Sequence, residues 1–249
     1  MGGHIRRPAR VRSFVYGTIG VIGELLITAA VILALFAFWQ AFWTSYEVEA
    51  PRAAVIAQFE EEHAPASTGE GVIETSEPPP APTNLANAEV YGLIHFPKWD
   101  WMKTPLAQGV GADVLDMGWA GHYPDTAQPG EIGNFSVAGH RRSYGNNFRR
   151  VEEMQVGDEI VVDLQDHYLV YEVDNWEIVS ATDPENYRVI APVPGDVTLS
   201  QTPTERWMTM TTCHPEWGNT ERYIVHLKYK YWMSKSTGKP AVLLEEPES

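Results

Sequence analysis

The chain has 249 residues, one cysteine, 18 basic and 33 acidic side chains, and a formal net charge of -15. Setting aside Arg6, Arg7, Arg10, Arg12 and Glu24 leaves 14 basic and 32 acidic residues beyond position 46, a formal -18 that repels nucleic acid. One cysteine admits no internal disulfide, the acidic residues lack the Asp-X-Asp-X-Asp-Gly pattern of a calcium loop, and the histidines lack ligand spacing, so neither metal nor cofactor is implied.

Residues 14–43 are almost wholly apolar and residues 25–46 carry no charge, enough for one helix to cross a hydrocarbon core of ~30 Å. No Ala-X-Ala directly follows Trp43, which favours an uncleaved anchor over a signal peptide. Basic residues precede the span and Glu47 and Glu49 follow it, so residues 1–13 are expected in the cytoplasm and the large domain outside the cell membrane. Glu24 then lies where it can snorkel to the cytoplasmic face.

Residues 44–87 read as a linker, with a short helix over 52–62 followed by Pro65, Gly69, Gly71, Pro78, Pro79, Pro80 and Pro82. That composition predicts a semi-extended acidic spacer holding the next domain off the bilayer. From 88 to 233 the pattern is mainly β: apolar and β-branched runs at 90–96, 134–138, 159–164, 168–173, 176–180, 206–212 and 222–231 predict strands. Gln165-Asp166 and Gly157-Asp158 mark turns, and 113–117 and 186–190 read as helical turns. Closely spaced strands over this length suit one barrel or sandwich. The tail 234–249, with Ser, Gly, Pro and Glu, reads as loosely ordered.

Three residues carry candidate chemistry. Cys213 closes the run Arg206-Trp-Met-Thr-Met-Thr-Thr-Cys, Arg222 follows nine residues later, and His140 ends Asn-Phe-Ser-Val-Ala-Gly-His. A lone thiol is commonly a small buried hydrophobe, but in an exported chain an unpaired cysteine invites a nucleophilic reading. A cationic neighbourhood from Arg222 and protonated His140 would favour the thiolate, and His140 at a strand end could exchange protons with an amine. His214 adjoins Cys213, yet neighbours on a strand point to opposite faces, so it reads as a supporting residue.

Ser136-Val-Ala-Gly-His140, Thr209-Met-Thr-Thr-Cys213 and Arg222-Tyr-Ile-Val together resemble the sortases, membrane-bound cysteine transpeptidases of Gram-positive bacteria, over residues 88–233. Met210 stands where the family motif usually has Leu. Cys213-His-Pro215 and Gly121-His-Tyr-Pro124 look most like class E, the actinobacterial housekeeping type. The resemblance implies an eight-stranded sortase-type β-barrel with short helices behind one N-terminal transmembrane helix. It also implies catalytic roles for Cys213, His140 and Arg222, with Thr211 and Thr212 beside the substrate. The implied substrates are secreted proteins bearing a Leu-Pro-X-Thr-Gly or Leu-Ala-X-Thr-Gly sorting signal, cut between Thr and Gly and joined through a Cys thioester to an amine of the peptidoglycan precursor. Tyr123 either narrows the pocket for the second signal residue, favouring Ala, or packs against Pro124. The alternative is a membrane-tethered β-domain without catalysis that binds wall polymer through Trp99, Trp101, Trp119, Trp207 and Trp217, although aromatics more commonly build core.

Overall fold

Apolar residues recurring at every second position turn one face of each strand inward, and eight such strands close on themselves. The computed structural model describes residues 9–246, so Arg6, Arg7 and the last three residues of the acidic tail lie outside the described residues. The strands are β1 (Val90–Phe96), β2 (Met102–Gln108), β3 (Ala120–His122), β4 (Gly133–Ala138), β5 (Glu159–Asp163), β6 (His167–Ser180), β7 (Arg206–His214) and β8 (Glu221–Ser234). Their order around the barrel is β1-β2-β3-β4-β7-β8-β6-β5. The β2–β3 and β4–β7 pairs are parallel and the other pairs antiparallel. Phe135, Val137, Met208, Met210, Val225 and Leu227 lie in the barrel core and are fully buried. At about 1.5–3 kcal/mol for each large apolar side chain removed from water, these residues fix which face of β4, β7 and β8 turns inward.

Two strands escaped the sequence pattern. β2 contains Lys103 and Pro105, and Pro demotes a run as a strand candidate; β3 has only three residues. The runs at 168–173 and 176–180 form one strand, β6, because a register shift between Val173 and Asn175 carries its pairing with β8 across the polar interruption.

The chain divides into two compact units after Trp43. The first holds α1 (Ala9–Phe38), whose exposed apolar stretch Tyr16–Phe38 is long enough to cross a membrane, and a π-helical turn at Trp39–Trp43. The second begins with α2 (Thr44–Glu62), eight residues earlier than the helix read from sequence. Pro51 breaks the propensity pattern there, but its position faces solvent. Thr44, Val48, Arg52, Val55, Ile56 and Phe59 recur at helical spacing and turn toward the barrel.

The expected extended spacer is folded against the barrel. β8 outruns β7 beyond Lys228 and leaves backbone groups on its edge unpaired. The chain after α2 meets that edge: Glu74 N–H donates to the Trp232 carbonyl at 2.9 Å, and Trp232 N–H donates back to Glu74 at 3.1 Å. Ala66 N–H donates to Lys235 O at 2.9 Å. The tail, expected to be loose, is also packed: Leu243 is buried beside Val161 and Tyr168, and buried Lys235 pairs with Asp163 at 2.7 Å.

Buried His122 lies at the end of β3, with Nδ1 2.8 Å from Gln108 Oε1 and Nε2 3.0 Å from the Ala127 carbonyl. Burial pushes its imidazole down to about 4, outweighing the bond to Ala127. The folded chain therefore binds this proton less readily than the unfolded chain, so the His122 contribution to stability is intact above about pH 6.5 and is lost as pH falls toward about 4, by on the order of 3 kcal/mol. Denaturant unfolding across pH 4–7 should show this slope, and His122→Gln should flatten it.

Candidate active site

The β4–β7 pairing brings two of the three candidate catalytic positions together. Parallel register sets Ala138 beside Thr211; Gly139 N–H donates to the Thr211 carbonyl at 3.2 Å, and the Thr212 hydroxyl donates to the Gly139 carbonyl at 2.8 Å. Continued past its last pair, Ala138–Thr211, this register would put His140 opposite Cys213. Arg141 closes the seam from the other side, with Nη1 3.5 Å from the Cys213 carbonyl. Across the antiparallel β7–β8 pair, Cys213 and Arg222 are direct Cα partners. Met208 and Met210 point into the barrel, so by alternation Thr209, Thr211 and Cys213 point out, and Arg222 shares the outer face with its partner.

His140 is oriented by its surroundings. Its Nε2 donates to Asp116 Oδ1 at 2.8 Å, leaving Nδ1 as the nitrogen not engaged by that carboxylate, and the Tyr144 ring lies 5.4 Å away at 30°. Asp116 immediately follows α3 (Ala112–Leu115). The Arg222 guanidinium donates through Nη1 to the carbonyls of Asn219, at 2.9 Å, and Glu221, at 2.8 Å. Tyr123 is tied at both ends: its N–H donates to the Ser136 carbonyl at 3.0 Å, and its hydroxyl lies 3.0 Å from Thr211 Oγ1. Burial pushes the Tyr123 phenol up, Thr211 and Arg222 oppose the rise and Cys213 adds to it, so the phenol belongs to the same cluster.

The outer face is bounded by the connection from β6 to β7. Asn134 on β4 donates to the carbonyls of Val189, at 3.1 Å, and Ala191, at 2.9 Å, while Val189 packs on Val179 and Ile224. Arg188 grips Glu177 on β6 at 3.0 and 2.6 Å. These contacts fix the 3₁₀ turn Asn186–Ile190 against the face that carries Cys213.

Residues 94–230, more than half of the chain, match the Sortase domain family. The chain belongs to the sortase family. It is 33% identical to sortase SrtE1 of Streptomyces coelicolor over 247 residues, covering 96% of this chain and 65% of that protein. It is 28% identical to sortase SrtE2 of the same organism, covering 88% of this chain and 84% of the relative. Among solved structures, the SrtA sortase of Actinomyces oris matches with a TM-score of 0.65 at 42% identity, covering 72% of this chain and 99% of that one. Sortase E1 from Streptomyces coelicolor, with a tripeptide in its active site, matches with a TM-score of 0.55 at 38% identity, covering 64% and 99%. Sortases are cysteine transpeptidases, and the likeness to SrtE1 and SrtE2 is a likeness to class E.

In this sortase, Cys213, Arg222, Thr211 and Tyr123 gather on one outer face, and His140 follows the end of neighbouring β4 by two residues. Thr212 does not join them. It pairs with core residue Tyr223, is buried, and has its hydroxyl committed to Gly139, so it braces the His140 strand instead of meeting substrate. His214 turns to the face opposite Cys213: its Nδ1 accepts from Arg141 Nη1 at 2.8 Å, and its ring lies 5.8 Å from that of Tyr223.

Asp116, Arg141 and Tyr144 were not among the residues read from sequence. Asp116 stood in the expected helical turn at 113–117, but nothing linear joins it to a histidine 24 residues away. Arg141 is 2% exposed, sits next to His140, and pairs with Glu152 at 2.6 Å. Arg141→Met keeps the stem but removes the donors to His214 and the Cys213 carbonyl, and should lower the unfolding free energy by about 2–3 kcal/mol. Arg149→Met, which loses only an exposed contact to Glu216, should cost under about 1 kcal/mol. Thermal unfolding of both variants checks the contrast.

Proposed function

We propose that this chain is a membrane-anchored cysteine transpeptidase that cuts a Leu-Pro-X-Thr-Gly or Leu-Ala-X-Thr-Gly sorting signal between Thr and Gly and joins the Thr to an amine of the peptidoglycan precursor. The observation that carries it is the placement of Cys213, opposite Arg222 on β8 and beside the strand β4, whose end leads directly to carboxylate-bonded His140. The Cys213 thiolate attacks the Thr carbonyl, and Arg222 stabilises the oxyanion or holds substrate carbonyls through a charge that does not titrate away. As the peptide C–N bond breaks, protonated His140 gives its proton to the departing Gly amine, leaving a Cys213 thioester. The incoming amine then attacks the thioester, His140 takes its proton, and the thiolate leaves. Asp116 holds the imidazole so that Nδ1 serves the reacting atoms.

A peptide substrate is supported by the tripeptide in the active site of sortase E1 from Streptomyces coelicolor. Tyr123, held by Thr211 beside Cys213, is proposed to wall the pocket for the second signal residue. Tyr16–Phe38 is proposed to span the cell membrane, with the N-terminus in the cytoplasm and the barrel outside.

The full chain in detergent, incubated with Leu-Ala-X-Thr-Gly and Leu-Pro-X-Thr-Gly peptides and an amine, should yield the Thr-amine product by mass. Cys213→Ala should abolish that product while leaving the fold intact. Turnover by a well-folded Cys213→Ala chain would overturn the reading. Asp116→Ala should lower kcat by on the order of 10²-fold, whereas His214→Ala should cost far less activity at matched stability, because Asp116 bonds to the His140 ring and His214 bonds to Arg141 instead. Steady-state kinetics of the two variants decide this.

A further inference from the structure

The turn after His140 is strained. Ser143, Tyr144, Gly145 and Asn146 have φ values of 71°, 45°, 92° and 52°, four consecutive residues in a region that non-glycine side chains avoid. Such a run persists only where its surroundings over-determine it. Within the turn, Ser143 N–H donates to Asn146 Oδ1 at 3.0 Å, and Tyr144 presents its ring to His140.

The surroundings are supplied by α2. Arg52 Nη1 donates to the Gly145 carbonyl at 3.1 Å and to Asn147 Oδ1 at 2.9 Å. A Cβ on Gly145 would lie 2.8 Å from Arg52 Nη1 and 3.4 Å from Val48 Cγ2, so the helix and the turn are in close contact. The same helix face reaches the other partner of His140. Gly118, two residues after Asp116, has a φ of 73°, and a Cβ there would meet the Tyr144 carbonyl at 2.9 Å and Val48 Cγ2 at 3.2 Å. Val48 and Arg52 therefore sit where the Asp116 turn and the Tyr144 turn converge, and these two turns hold the imidazole.

We infer that α2, the helix that follows directly on the apolar span, is a positioning element for His140, with Arg52 as its principal residue. Arg52 touches neither substrate nor thiol; it fixes the turns that carry Asp116 and Tyr144. The role rests on the transpeptidase reading for its kinetic consequences but not for its geometry. Loss of Arg52 lets the strained turn relax and leaves His140 free to shift. Positional errors of about 1 Å in a catalytic group cost up to 10²-fold in rate. The effect falls on kcat, because the outer face that receives the peptide is built from β4, β7, β8 and the 3₁₀ turn Asn186–Ile190, not from α2.

The test uses the full chain in detergent micelles with Arg52→Ala, Arg52→Lys and Val48→Ala, alongside His140→Ala as a benchmark. Three readouts are compared well below each variant's Tm: kcat and KM for the sorting-signal peptide, and the rate of Cys213 alkylation by iodoacetamide, which reports on the imidazole beside the thiol without needing substrate. Arg52→Ala should lower kcat about tenfold or more with KM within about twofold, and should slow alkylation toward the His140→Ala rate. Arg52→Lys, which retains one donor for the Gly145 carbonyl, should recover part of both losses. Val48→Ala should move both readouts in the same direction by less, and stands as the deciding variant if Arg52→Ala does not fold. Wild-type kcat and alkylation in a folded Arg52→Ala or Val48→Ala chain would overturn the inference. If the unmutated chain turns over no peptide, the transpeptidase reading fails, and alkylation still decides whether α2 holds His140.

Discussion

The parallel pairing of β4 with β7 is the constraint on which the site depends. Its register, Ala138 against Thr211, brings the strand ends that lead to a histidine and a cysteine 73 residues apart side by side, and the side-chain period of two decides that the thiol faces outward. A slip of one residue would drive Cys213 toward the core and expose Met210. Phe135, Val137, Met208 and Met210, all fully buried, oppose that slip with several kcal/mol of lost burial. The orientation of Cys213 is thus stabilised by residues on the opposite, inward face of the same strands.

Around that seam, polar groups divide by face. On the barrel side, Arg141 ion-pairs with Glu152 and donates to His214 behind the Cys213 backbone, which leaves His214 engaged and unavailable to the thiol. On the outer side, Asn134, Thr209, His226, Glu177 and Arg188 make a continuous chain of contacts that fastens the β6–β7 connection onto the sheet. Asp196 rigidifies the same connection by accepting from the Gln201 backbone N–H and from the hydroxyl and N–H of Thr198, bonds that hold its carboxyl down to about 2. A wall built on charged and backbone-bonded anchors keeps its shape next to solvent, where apolar packing alone gives little purchase.

The segments on either side of the barrel share a physical origin. β8 continues past the end of β7, and an open strand edge is a row of unsatisfied donors and acceptors. Residues 66–74 satisfy that row, and the tail after Ser234 folds back over Val161 and Tyr168 with Leu243. Proline and charge make these stretches look like linkers, but what decides their conformation is the edge they cover.

The sequence by itself determined the apolar span, most of the strands and the motifs that carry Cys213, His140 and Arg222. Hydrophobic run length, period-two alternation and motif chemistry are local properties, written within a few residues of one another. The runs at 90–96, 134–138, 206–212 and 222–231 correspond to β1, β4, β7 and β8 because their alternation is strong. β2 was hidden by Pro105, and β3 is too short to register as a run. Only the tertiary structure decided that Thr212 braces the Gly139 backbone, that Asp116 bonds to His140, that Arg141 backs Cys213, and that α2 lies on the turns beside the imidazole. Each of these depends on two segments far apart in the chain meeting at one point. That meeting is set by barrel closure and strand register, and no local pattern of residues contains it.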